Sequence, residues 1–303
     1  MTAPAGWVDP NPPNGSDPRT NRILAISGAA LTAVVLTALV VVVVLHKSAA
    51  DDAQPRRGVM TLTAANAPTA DPFMPSVVVT PTQISDTAAG QIASLATQLP
   101  QSAARGVRVV QGLQPGLYGV AGQSFPCDVA EVANRLDASR DKAAVWAQAL
   151  GLSVQQVPHY LNTLTPVALT IDTWVTAYLY TDGRARGLQT VLQAGTAVLI
   201  DPAGVPRLHC ASGDPLSPSA NLNAADLNTD GKGWSGFEVR NVAAIAYGGA
   251  PSGPTTVTEF SVLDLGTGER ATRKAGGTFN LPENPSVQLP DPVAMNVAPK
   301  PER

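Results

Sequence analysis

VALTIDTWVTAYLYTDGRARGLQTVLQAGTAVLIDPAGVPRLHC, residues 167–210, is the stretch on which the fold turns. Short β-branched and aromatic blocks at 167–172, 174–180, 188–193, 196–201 and 205–210 read as strands. Asp182-Gly183 and Asp201-Pro202-Ala203-Gly204 supply hairpin-type turns between them. Upstream the period is helical. Ile84, Ile92, Leu95 and Leu99 share one face over 83–99, and 127–138, 139–151 and 153–164 read as three further helices. Asp128, Ser139 and Ser153 stand near the starts of those three, and Gly151 is a C-terminal stop. VRVVQ at 107–111 reads as a strand, and PGLYG at 115–119 as a turn. Downstream, 238–247 and 257–265 form a later strand pair that closes through Gly266-Thr267-Gly268 onto ERATRK. Short helices followed by an antiparallel β meander make an α+β domain, expected over residues 83–282.

The flanks are different in kind. Prolines, 27 in the chain, crowd the chain ends and the region after the first apolar run. Residues 1–22 read as a disordered cytoplasmic tail, 46–82 as an Ala/Pro/Thr-rich linker, and 283–303 as a disordered Pro-rich tail. Between the first two lies ILAISGAALTAVVLTALVVVVVL, residues 23–45, without a charge. At 1.5 Å per residue such a helix reaches roughly 34 Å, enough to cross a bilayer core of about 30 Å. A cleaved signal peptide has an apolar region of only about 7–15 residues, so a retained single transmembrane helix is the expectation. The first cysteine after it is Cys127, which excludes a lipidated cysteine directly after the apolar run.

The orientation rests on the cysteines. Arg19 and Arg22 precede the run, while His46, Lys47, Arg56 and Arg57 follow it, so Lys/Arg counting leans weakly toward an inward C-terminus. The chain has 2 cysteines, in no CxxC or metal spacing, and that pattern suits one structural disulfide in an oxidising compartment. A cell-membrane protein with its N-terminus cytoplasmic and its folded domain outside is therefore expected, with the lipid bilayer as its partner through residues 23–45. A net charge of −3 without a basic stripe gives no basis for nucleic-acid binding.

Candidate chemistry is sparse. DLNTDGKGWSGFE, residues 226–238, begins like a calcium loop with Asp226, Asn228, Asp230 and Gly231. The twelfth position is Phe237 and Glu238 comes one residue late, leaving about three side-chain oxygens for an ion that takes 6–8. Asx-turn chemistry accounts for the same residues, so no cofactor is expected and calcium is the weak candidate. His209 beside Cys210 is short of a zinc set. Ser139 with Lys142 matches SxxK, Ser219-Ala220-Asn221 matches SxN, and Lys274-Ala275-Gly276 matches KxG, the ordered motifs of penicillin-recognising serine enzymes. Three short patterns arise easily by chance, and Ser139 also serves as a helix cap.

The blocks GLYG (116–119), CDVAEV (127–132), LQTVLQAGTAVLIDPAGVPRLHC (188–210), DPL (214–216), GWSGFEVRNV (233–242) and VLDLGTGE (262–269) resemble a membrane-anchored actinobacterial family whose extracytoplasmic domain has no known function. The resemblance covers about residues 105–280. It implies an extracytoplasmic domain and brings no activity with it. In that family a second cysteine stands two positions after the first in the turn that here reads CASGDPL, where this chain has Ser212. The resemblance thus implies Cys127 with Cys210 as the only possible pair. A non-catalytic binding, sensing or scaffolding module of the cell envelope is the expected role. The alternative is an envelope enzyme acting on wall polymer through Ser139 and Lys142. No binding residues and no specific envelope partner are assigned.

Overall fold

The computed structural model describes residues 58–79, 83–245, 256–282 and 284–295. The chain divides into units Met1–Pro55 and Arg56–Arg303. The tail at 1–22 and the apolar run at 23–45 lie outside the described residues. Among those described, no helix is long and apolar enough to cross a membrane.

The chain opens with β1 (Val59–Thr63), helix α1 (Asp86–Gln98), β2 (Gln101–Ser102), β3 (Val107–Val110) and β4 (Tyr118–Val120). Three short helices follow, α2 (Val129–Asp137), α3 (Arg140–Ala149) and α4 (Val157–Thr163). The strands then run β5 (Thr165–Leu169), β6 (Thr173–Thr181), β7 (Arg184–Leu192), β8 (Ala197–Ile200), β9 (Pro206–His209) and β10 (Asp214–Pro218). Last come β11 (Asn228–Asp230), β12 (Ala243–Ile245), β13 (Glu259–Asp264) and β14 (Arg270–Lys274). Local chemistry sets several boundaries. Ser85 caps α1 by accepting from the Ala88 N–H, and Asp128 caps α2 by accepting from the Glu131 N–H. Asp182 at φ +51° and Gly183 at φ +72° form the two-residue turn between β6 and β7.

The expected antiparallel meander needs correction: among the described residues the fold is mostly one mixed sheet of 14 strands with few helices. Its main path is β11-β1-β7-β6-β10-β9-β8-β5-β4-β13-β14, with β12, β3 and β2 joined beside β6. Strands linked by short turns pair antiparallel, as in β6–β7 and β8–β9–β10. Strands brought from far along the chain pair parallel: β1 with β7 and β11, β12 with β3 and β6, and β13 with β4. Parallel neighbours need a long crossover, and no local turn announces them.

The linker expected over 46–82 is corrected as well. Val59–Thr63 is β1, inserted between β11 and β7. Phe73, Met74 and Val77 are buried against the helices. Complete burial of one such side chain is worth about 1.5–3 kcal/mol, which pins this segment to the domain. At the other end, Leu289 and Met295 pack on the same cluster, so 284–295 is not the loose tail its prolines suggest. Of the strand expected at 238–247, Val239–Asn241 is instead a 3-10 turn and Ala243–Ile245 is β12, while 246 and 247 lie outside the described residues.

Four apolar clusters result, the smallest formed by Ala88, Ala168, Leu263 and Leu265. One lies against the sheet, where Val167, Leu169, Val198 and Ile200 meet Val175, Ala177, Leu192 and Leu216. A second joins α2, α3 and α4, through Val132, Leu136, Trp146 and Leu161, to Leu199 and Leu208. A third holds Met60, Trp174 and Val191 under the GWSGF block, where Trp234 and Phe237 stack edge to face at 5.0 Å.

Candidate functional site

Cys127 and Cys210 form a disulfide, with Cα atoms 5.9 Å apart and 83 positions between them in sequence. It joins the residue just before the α2 cap to the end of β9. The segment 73–79 is laced over both ends: the Val77 N–H donates to the Cys210 carbonyl, and the Asp128 N–H to the Val77 carbonyl. Arg135 donates to the Pro75 carbonyl.

Beyond Cys210 the chain turns through Ala211-Ser212-Gly213 into β10. Gly213 has φ +67°, and a Cβ there would collide with Met74. The Ser212 hydroxyl donates to Asp214 Oδ2 at 2.7 Å, so Nδ1 of His209 carries its proton and donates to Ser212 Oγ at 2.9 Å. Thr69 and the Phe73 N–H also donate to Asp214. All three turn residues are fully buried. Burial raises the Asp214 carboxyl to about 6, opposed by the bonds from Thr69, Ser212 and the Phe73 amide. Burial alone lowers His209 to about 4. Serine, histidine and aspartate are present, but in the wrong order for catalysis. A hydrolytic triad puts histidine between the other two as base, whereas here serine stands between and histidine donates to it. His209 Nε2 has no partner and faces no solvent.

A second buried polar group sits one hairpin away. The β8–β9 register slips at Leu199/Ile200, leaving Arg207 as an extra residue of the kind that bulges re-aim. Its Nε meets Asp201 Oδ2 at 2.7 Å with both side chains almost wholly buried. Asp201 also accepts from the Ala203 and Val205 amides, which shapes the DPAG turn. Burial pushes the Asp201 carboxyl above its ordinary value, and Arg207 with the two amides pulls it back.

The residues singled out in the sequence are scattered. Ser139 precedes α3, but its side chain makes no capping bond. Lys142 donates to the Phe73 carbonyl at 2.7 Å and lies 5.0 Å from the Tyr180 ring centre. Ser219 is buried and accepts from Arg105 at 2.8 Å, and Lys274 is exposed on β14, an end strand of the sheet path. Of the penicillin-type motif residues, Lys142 and Ser219 are thus held in structural bonds, while Ser139 and Lys274 lie on separate elements, before α3 and on β14. In the calcium-like stretch, Asp226 ends a 3-10 turn and Asn228–Asp230 is β11, parallel to β1, with all three side chains exposed. The Glu238 carboxylate accepts from Arg240 and Asn241, each at 2.9 Å. Among the described residues no group of three or more His, Cys, Asp or Glu side chains could hold a metal ion.

What the sequence did not reveal is an open cleft of about 400 Å³ beside the disulfide. Cys127, Val129, Ala130 and Pro166 line it, with Val79, Ser124, Phe125, Asp128 and Thr278 around them. Phe125 is 46% exposed and Val79 59%, the largest such values among the large apolar side chains described. Arg273 holds the Phe125 ring from one side at 4.9 Å and donates to the carbonyls of Gly122, Gln123 and Ser124. The Thr278 hydroxyl is buried without a partner.

The family model for a domain of unknown function, DUF6777, matches residues 108–276, more than half of the 303. The chain belongs to the DUF6777 family. No curated protein and no solved structure matches it. The DUF6777 match begins inside β3 and ends just after β14, so it contains the disulfide, both buried polar groups and most of the cleft wall. Val79 and Thr278, on the cleft rim, lie outside the match, as does β1. The one sequence signal for the cleft was Phe125, an aromatic next to proline in a glycine- and serine-bearing loop, and alone it is weak.

Proposed function

We propose that this DUF6777 chain is a non-catalytic binding module of the cell envelope, held at the membrane through residues 23–45 with its domain outside. The cleft carries the reading. Pockets of about 300–1,000 Å³ with an apolar lining and a few polar groups are the usual form of small-molecule sites. This one has an exposed aromatic ring at its mouth and an unpartnered hydroxyl in its wall. Several groups that could have served catalysis are spent elsewhere: Lys142, the partner Ser139 would need, on a backbone carbonyl, Ser219 on Arg105, Ser212 on Asp214. The disulfide supports an oxidising compartment.

Two measurements on membranes from a producing cell test this. Protease added from outside should digest the domain, and a fluorescent penicillin should leave it unlabelled. Digestion only after the membrane is opened would overturn the orientation. Label lost in Ser139→Ala would overturn the non-catalytic role.

A further inference from the structure

We propose that the cleft beside the disulfide binds a neutral, polyhydroxylated ring, as in a glycan chain, with the ring face on Phe125 and its hydroxyls on Asp128 and Ser124. The inference rests on the binding role above and names its ligand class. Charge balance makes the choice. Asp128 Oδ1 accepts from the Glu131 N–H, and its second oxygen has no partner among the described residues, so a carboxylate acceptor is open at the rim. That negative charge opposes an anionic ligand. The same rim is the start of α2, where the Val129 and Ala130 N–H groups precede any intrahelical acceptor and carry the helix's positive end. With Arg273 beside Phe125, this opposes a cation. The wall therefore offers a hydrogen-bond acceptor, backbone donors and the exposed Ser124 hydroxyl, which can be either, with no net charge to satisfy.

A ligand matching that set must donate and accept at neighbouring positions and remain uncharged, which is the property of vicinal hydroxyls. The apolar surface of the wall is that of Phe125 and Val79, over a floor of Cys127, Val129 and Pro166 that is almost wholly buried. A wholly polar ligand would leave that surface wet. A sugar ring answers both demands, since its axial C–H bonds form an apolar face while its hydroxyls lie around the edge. Phe125 is placed to receive that face. Its ring is fixed from one side by Arg273, so it is ordered before a ligand arrives and little side-chain freedom remains to be lost.

The test uses the full chain in detergent micelles and saturation-transfer NMR, with cellotriose and chitotriose at millimolar concentration and empty micelles as blank. Transfer from protein to sugar is expected. Phe125→Ala should weaken it about three- to tenfold. Asp128→Asn, which still caps α2, should weaken it also. Ala130→Phe fills the cleft from an exposed position and should abolish it. Sugar binding that survives all three variants would overturn the site. Inorganic phosphate binding in place of sugar would overturn the neutral ligand class. If the apolar dye N-phenyl-1-naphthylamine binds in an Ala130→Phe-sensitive way and neither sugar does, the ligand class falls and the binding role stands. If neither dye nor sugar binds, both fall.

Discussion

At 209–214, His209, Ser212 and Asp214 are wholly buried and bonded to one another. At 226–238, Asn228 and Asp230 lie exposed on the outermost strand of the sheet and Asp226 is exposed in the turn before it, and the one further carboxylate is engaged by Arg240 and Asn241. The second stretch spells a ligand site in sequence, and the first does not. In the fold, the first carries far more energetic weight. Polar groups out of water must be satisfied in one arrangement, while polar groups at an exposed edge are satisfied by solvent in many.

The disulfide is the strongest way to probe that contrast. Closing a loop of 83 positions is worth about 4.5 kcal/mol in the chain-entropy model. Cys127→Ala with Cys210→Ala should lower unfolding free energy by that order in a urea titration. A loss under about 1 kcal/mol would show that the packing of Phe73, Met74 and Val77 alone holds the turn.

Next comes Arg207→Met, which strands the Asp201 carboxylate in the core. Removing one partner of a buried pair costs about 3–5 kcal/mol. An unchanged midpoint would mean that Asp201 takes up a proton and tolerates its isolation, and the variant's midpoint would then fall as pH rises.

The sharpest test of the turn is pH dependence. His209, depressed to about 4 from 6.5, contributes stability that is present above 6.5 and lost as pH falls toward 4. Asp214, raised to about 6 from 3.8, works in the opposite sense: its protonated form favours folding below 3.8, and this is lost as pH rises through 6. Between about pH 4 and 6 the folded pair holds its proton on Asp214 and the unfolded pair on histidine, so the two slopes offset. His209→Gln removes one of them. Its stability relative to the parent should fall by about 3 kcal/mol as pH rises from 4 to 6.5. Parallel curves for the two proteins would break the assignment.

The smallest effect belongs to the edge. Three oxygens give at best a calcium affinity near 10⁻³ M, and 1 mM calcium would then add about 0.4 kcal/mol. A melting shift of about 1 °C or less is expected against chelator. A rise of several degrees, lost in Asp226→Ala, would turn the comparison around.

Much of the local architecture was legible. Asp182-Gly183 announced the β6–β7 hairpin, DPAG the β8–β9 turn, and the spacing of apolar residues the four helices. β1 was not. VMTLT is five residues in a Pro- and Ala-rich stretch, and its partner β7 lies some 130 positions away in parallel register. Nothing local records such a pairing. The buried strap at 73–77 was hidden for the same reason, because its burial depends on helices and a turn far downstream. The cleft was less legible still: its wall is assembled from 79, 124–130, 166 and 278. By contrast, the stretch at 226–238 drew attention through composition alone, and composition does not say which side of a strand faces water.

The placement of β1 has a mechanical consequence. It is the first described strand after the apolar run, and it has a parallel neighbour on each side. Tension applied to the chain at Gly58 along the strand axis would load the bonds to both neighbours together, in shear, rather than peel them off singly. A domain tethered through that end would hold its shape under drag that would unzip one hung from an outer hairpin.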